Sequence, residues 1–209
     1  MTADLREHLV REVGRERADR YWEIFEELRA ELGYADYLGA LQRYRADYPR
    51  DPHLLTVSRF LIDYPFRERL YPRALEVVAA VRRRAPAVIL SDGDVVFQPR
   101  KIDRSGLADA VAGNVLIYVH KEKELDDVEA RYPADRYVLV DDKPRILAAV
   151  KTVWGDRATT VFPRQGHYAN DREQVARYPA PDLAIERIGE LLDVNLESLA
   201  LGAFSPGRP

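Results

Sequence analysis

An α/β protein built on a parallel sheet, with a helical segment ahead of it, is the fold class this sequence predicts. Three observations carry the prediction. Residues 1–65 place apolar side chains at helical spacing and show no strand pattern. Residues 66–195 alternate short apolar runs with amphipathic stretches of about ten residues, the rhythm of strands joined by right-handed helical crossovers. The short runs end in "SDGD", "HKEK", "DDKP" and "PRQGH", and the carboxyl ends of parallel strands are where such sheets gather functional groups. Residues 196–209 are expected to form a loose tail.

The elements follow in order. Asp4 and Glu7 resemble a capping box, with Leu5, Leu9 and Val13 at helical spacing behind them. After Gly14 a stronger stripe runs through Ala18, Tyr21, Trp22, Phe25, Leu28 and Leu32 and is stopped by Gly33. Tyr34, Tyr37, Leu38, Leu41 and Tyr44 mark a third helix, and "RDPHLLTVSRFLI" a fourth, with Asp51 as N-cap and Pro52 in the first turn. These aromatics read as the core of a helical lobe, or in part as the lining of a substrate pocket. Beyond residue 66, "YPRALEVVAAVRRR" reads as helix, "AVIL" as strand, "RKIDRSGLADAV" as helix, "VLIYV" as strand and "KEKELDDVEARY" as helix. "YVLV" is strand, "PRILAAVKTVW" helix, "ATTVF" strand and "DREQVARY" helix, and "APDLAIERIGELLDV" holds a short extended stretch and a last helix.

Composition narrows the function classes. The chain has 209 residues, a formal net charge of −3 and no cysteine. That balance gives no general attraction to nucleic acid or to an anionic membrane. Disulfides, thiolate zinc sites and cysteine nucleophiles are excluded. No apolar run approaches the ~20 residues that span a bilayer, and the N-terminus has no apolar signal core. A cytoplasmic location is expected. Lysine is scarce beside arginine, and Lys101, Lys121, Lys123, Lys143 and Lys151 all fall in one stretch, near the candidate site residues.

The candidate chemistry sits at the strand ends. Asp141 and Asp142 are adjacent carboxylates that repel each other more strongly as water is excluded. Either Asp142 caps the helix that starts near Pro144, or the pair holds a hard cation such as Mg²⁺. Ser91, with Asp92 and Gly93 behind it, offers a hydroxyl and a backbone N–H to a phosphate oxygen, or forms a plain turn. Lys121 and Lys123 open a helix against its dipole, where a lysine could neutralise phosphate or simply face solvent. His120 and His167 have no second histidine at metal spacing. There is no G-x-S-x-G elbow, Walker loop or G-x-G-x-x-G.

Taken together, these segments resemble the haloacid dehalogenase-like superfamily of hydrolases, which are mostly Mg²⁺-dependent phosphatases. "ERLYPRALEVVAAVRRRAPAVILSDGD" resembles the approach to its second motif, with the Ser/Thr on Ser91. "YVHKEKELDDV" resembles the lysine motif, placing that role on Lys121 or, less well, Lys123. "YVLVDDKPRIL" resembles the acidic fourth motif, with Asp142 in the main metal position and Asp141 in support. The resemblance covers residues 66 to about 192 and implies a Rossmann-like parallel sheet, with residues 1–65 as its helical cap. It implies catalytic roles for Ser91 and Lys121, phosphate contacts from Ser91, Asp92, Gly93 and Lys121, and Mg²⁺ on Asp141 and Asp142. The substrate would be a small phosphorylated metabolite; dehalogenase and phosphonatase chemistry also occur in the superfamily.

One motif departs. The superfamily's first motif, hhhhDxDx(T/V), precedes the cap, supplies the nucleophilic aspartate and forms the central strand. This sequence begins within the cap. "VILSDGDVVF" spells D-x-D-x-V at Asp92 and Asp94, but the later motifs keep their order only when it is read as the second motif. The expectation is that Met1 is an internal start, or that the strand is truly absent and the chain is a silent phosphate- or partner-binding domain. Either way the chain as written is expected to be inactive or nearly so. A third reading makes it a helical interaction protein that forms a homodimer through the Tyr21–Trp22–Phe25 face.

Overall fold

The fold is described here from a computed structural model covering residues 1–166 and 168–200. His167 and residues 201–209 of the expected tail lie outside the described residues. Along the chain run α1 (Thr2–Val13), α2 (Arg15–Leu32), α3 (Tyr37–Asp47), α4 (Leu54–Asp63) and α5 (Ala74–Arg82). Then come β1 (Ile89–Asp92), α6 (Phe97–Ser105), α7 (Leu107–Ala110), β2 (Val115–Tyr118), α8 (Leu125–Arg131), β3 (Tyr137–Val140) and α9 (Pro144–Trp154). β4 (Ala158–Pro163), α10 (Arg172–Ala176), β5 (Leu183–Ile185) and α11 (Leu196–Ala200) complete the order. The protein is a mixed α/β structure with short parallel strands, as the sequence predicts.

Two compact units divide the chain: residues 1–70 with 88–121, and residues 71–87 with those from 122 onward. The helical segment 1–65 thus shares its unit with β1 and β2, and the segment 66–195 is divided between both.

In the first unit, α1 to α4 bury a common aromatic core. Tyr21, Trp22, Phe25 and Tyr44 pack there with Leu5, Leu9, Leu28 and Leu61. Phe25 stacks on Tyr37 at 4.7 Å between ring centroids, and Tyr21 meets Trp22 and Tyr44 edge-on. The Tyr21–Trp22–Phe25 face is therefore covered within the chain and offers no apolar surface to a second copy. Two cap assignments change. Asp4 lies inside α1, whose N-cap Met1 makes no side-chain cap bond, and its carboxylate accepts from the Tyr64 hydroxyl and from Arg69. Asp51 precedes α4 by three residues, and its buried carboxylate accepts from Tyr44, Arg17 and the His53 N–H. In both places a distant tyrosine and arginine outcompete the local helix end for the carboxylate. Asp36 is the true N-cap of α3, accepting from the Gly39 N–H at 2.7 Å. The helix expected over "RKIDRSGLADAV" is broken at Gly106, whose φ of 81° separates α6 from α7.

β1 and β2 form one parallel ladder in register, Ile89 opposite Val115 and Asp92 opposite Tyr118. In the second unit, β3, β4 and β5 form another in that order. The single sheet expected from the sequence is thus two ladders, and the outer edges of β1 and β3 have no ladder partner among the described residues. β4 is buried along its whole length, whereas Val138 and Val140 of β3 are exposed. Val77, Val161, Leu183, Ile185, Leu191 and Leu199 pack together as one cluster of the second unit's core. Asp182 stitches β4 to β5, accepting from Lys151 Nζ at 2.9 Å and from the Thr160 N–H and hydroxyl at 2.8 Å. Burial works to raise the Asp182 pKa, but these donors outweigh it and hold the carboxyl below its usual range. Leu196–Ala200, within the stretch expected to be loose, are helical: Leu199 is buried and its carbonyl accepts from Thr159.

Candidate functional site

The register of β1 and β2 brings their carboxyl ends level, so Ser91, Asp92 and the segment after Tyr118 share one sheet edge. The Gly93 N–H, expected as a phosphate donor, instead continues the ladder to the Tyr118 carbonyl at 3.0 Å. Gly93 has φ 142°, and a Cβ there would lie 2.4 Å from Gln98 Cγ, so the turn requires glycine. The Asp92 carboxylate faces the protein: its Oδ1 accepts the Lys121 N–H at 2.8 Å. Ser91 donates its hydroxyl to the Asp92 carbonyl at 3.3 Å, long for an O–H···O bond, so the hydroxyl can be re-aimed at little cost.

Lys121 is buried, 7% exposed, and Lys123 is exposed. The Lys121 Nζ donates to the Leu90 carbonyl at 3.1 Å, one residue before Ser91. Among the sequence's lysines this one has a buried, fixed charge at a strand end. Both lysines lie in a 3-10 turn, and α8 begins only at Leu125. His120 packs its ring against Gly33, where a Cβ would meet its Cε1 at 2.9 Å. Asp94, three residues before α6, accepts from the Val96 and Phe97 N–H groups through its Oδ1. In "SDGD", then, each aspartate has its Oδ1 on backbone N–H groups, and the Asp94 Oδ2 is buried without a hydrogen-bond partner.

The end of β3 carries Asp141 and Asp142. The Asp141 N–H extends the ladder to the Val161 carbonyl, its side chain is buried, and its Oδ1 accepts the Lys143 N–H at 2.8 Å. The N-cap of α9 is Lys143, with no side-chain cap bond and Pro144 in the first turn. The Asp142 Oδ2 lies against Gly166, in the loop after β4, where a Cβ would also meet Tyr71 Oη at 3.5 Å. Lys143 sits over the Tyr168 ring at 5.2 Å. Arg145 pairs with Glu122, whose side chain is buried.

Gly166, Tyr71 and the Glu122–Arg145 pair were not identified from the sequence. The only local signal was a glycine just past a strand end. Gly166 has φ 89°, and a Cβ there would approach Asp142 Oδ2 to 2.5 Å. Gly166→Ala should therefore cost about 1–3 kcal/mol in backbone strain and also displace the Asp142 carboxylate. A urea melt reads the first effect and a magnesium titration the second.

Two carboxylates supply hard oxygen donors, which suit Mg²⁺ with several waters better than zinc. Among the described residues, no group of three or more His, Cys, Asp or Glu side chains is gathered for a metal ion. No described helix is long and apolar enough to cross a membrane.

No protein-family model and no curated protein matches the chain. A crystal structure does: that of a protein described as a haloacid dehalogenase-like hydrolase from Burkholderia xenovorans LB400, at 62% sequence identity over 93% of this chain and 90% of that one, with a TM-score of 0.88. Identity at that level over nearly the whole of both chains, with Ser91, Lys121 and the Asp141–Asp142 pair standing at strand ends in motif order, places this chain among the haloacid dehalogenase-like hydrolases.

Proposed function

We propose that this chain carries the phosphate-positioning and Mg²⁺-holding groups for hydrolysis of a small phosphate monoester, without turning it over unaided. The observation that carries the reading is Lys121: a buried ammonium pinned to the Leu90 carbonyl on the strand edge that also presents the weakly held Ser91 hydroxyl. A fixed positive charge beside a re-aimable hydroxyl suits a phosphoryl group, whose catalysis is chiefly positioning and charge neutralisation. Ser91 would donate to one phosphoryl oxygen and Lys121 would offset the charge on another. Asp142, with Asp141 held beside it by the Lys143 N–H, would carry the cation. Mg²⁺ so held would supply Lewis-acid charge neutralisation. The helical segment 1–65 is assigned the role of cap, excluding water and selecting substrate.

Within these 209 residues the only D-x-D-x-V spelling has one oxygen of each carboxylate on backbone N–H groups. That favours, as a second reading, a chain that binds phosphate without turning it over. Both readings expect no useful hydrolysis of a generic aryl phosphate by this polypeptide. At a hundredfold excess over Kd, Mg²⁺ with orthophosphate should raise Tm by roughly 5–10 °C. Asp142→Asn should remove the magnesium response, and Lys121→Met the orthophosphate response. Turnover abolished by Asp142→Asn would overturn the inactivity, and no response to either ion would leave only a scaffold.

A further inference from the structure

We infer that Asp92 is a positioning residue for Lys121 and not a ligand of the phosphoryl group, an inference that rests on the reading just given. A carboxylate one residue beyond Ser91 would repel an incoming phosphate if it pointed outward. It points elsewhere. Asp92 stands opposite Tyr118 in the β1–β2 register, and the chain leaves β2 at Tyr118 to reach Lys121 three residues later. Two hydrogen bonds close that excursion from the Asp92 side. The Gly93 N–H takes the Tyr118 carbonyl at 3.0 Å, fixing where the excursion starts. The Asp92 Oδ1 takes the Lys121 N–H at 2.8 Å, fixing where it ends.

With its backbone held there, the Lys121 side chain runs along the strand end and donates to the Leu90 carbonyl. The ammonium is thus located by its own amide. An ionised acceptor does this better than a neutral one, because charge-assisted hydrogen bonds are shorter and stronger. Asp92 therefore acts through Lys121 and touches no reacting atom.

The test compares Asp92→Ala, Asp92→Asn and Lys121→Met in the 209-residue chain. Orthophosphate and Mg²⁺ affinities are measured by calorimetry, and Lys121 amide exchange by NMR. Asp92→Ala should strip the Lys121 amide of protection and weaken orthophosphate binding about tenfold, the scale of one charge-assisted hydrogen bond. Asp92→Asn, which keeps an acceptor oxygen, should restore most of both, and Mg²⁺ affinity should stay unchanged in each. Orthophosphate binding by Asp92→Ala that equals or exceeds that of the parent chain would overturn the inference, tighter binding being the sign of a relieved repulsion. If Lys121→Met binds orthophosphate as the parent does, the phosphoryl reading itself falls, and the inference with it. Loss in Lys121→Met with no loss in Asp92→Ala sinks the inference alone. Should Asp92→Ala fail to fold, Asp92→Asn decides through the amide: a Lys121 N–H that exchanges freely beside an intact carbonyl acceptor contradicts the positioning role.

Discussion

Phe97→Ala should lower the stability of the protein by about 3–5 kcal/mol, the cost of emptying a large aromatic site in a packed core. Phe97 is 1% exposed and belongs to the aromatic core of the helical segment, although it lies on α6, directly after the "SDGD" turn. Its ring meets Tyr37 at 5.4 Å and Phe66 at 5.8 Å, and both partners are fixed by further ring contacts, Phe25 on Tyr37 and Tyr64 on Phe66. A cavity there cannot close by the shift of one side chain, so the upper part of the range applies. The same residue anchors the turn through its N–H, which Asp94 accepts. Loss of the ring should therefore loosen the segment that carries Ser91 and Asp92, weakening orthophosphate binding as well as stability. Phe97→Leu, which keeps most of the volume, should recover the larger share of both. An unfolding free energy for Phe97→Ala from urea titration within about 1 kcal/mol of the parent's would show that the ring is not the keystone this packing makes it.

Phe97 also shows where sequence reasoning stops. Strand and helix existence were readable because their signals are local: "YVLV" and "PRILAAVKTVW" became β3 and α9 with their boundaries intact, one a bounded apolar run, the other opened by a proline. The strand ends were readable too: Ser91, Asp141 and Asp142 stand at them, and Lys121 lies three residues past the end of β2. What failed were assignments whose partners sit outside the local helix or strand. Asp4 and Asp51 carry the residue type and spacing of caps, yet Tyr64 with Arg69, and Tyr44 with Arg17, claim them. The Gly93 N–H could be assigned only once β2 was known to lie beside β1. Gly166 and Tyr71 are separated by most of the second unit's sequence and meet at Asp142 only in the fold. The pairing of strands into two ladders was likewise beyond local pattern, since apolar runs state that a strand exists and not which edge it joins.

Asp51→Ala is the second large effect, expected at about 3–5 kcal/mol, because it removes one member of a buried hydrogen-bonded set. The Asp51 side chain is wholly buried; its Oδ2 accepts from the Tyr44 hydroxyl at 2.7 Å and from Arg17 at 3.2 Å, and its Oδ1 from the His53 N–H at 2.8 Å. Arg17 is partly exposed and can return to water when the carboxylate goes. Tyr44 cannot: it is buried, and its hydroxyl would be left without the acceptor it now has. Tyr44→Phe should accordingly cost less than Asp51→Ala, and the double variant less than the two singles added, because the phenyl ring strands no hydroxyl. The set also has a pH signature. Burial works to raise the Asp51 pKa, but the Tyr44 and His53 donors and the Arg17 charge outweigh it, holding the carboxyl below its ordinary 3.8. A depressed carboxyl stabilises the fold fully above the unfolded value and loses that contribution as pH falls through the lower folded value. The stability gap between the parent chain and Asp51→Asn should therefore be flat from neutrality down to about pH 4 and shrink below it. A gap that instead opens on acidification would mean that Asp51 is held protonated in the fold, and the hydrogen bonds drawn to it here would have to be reassigned.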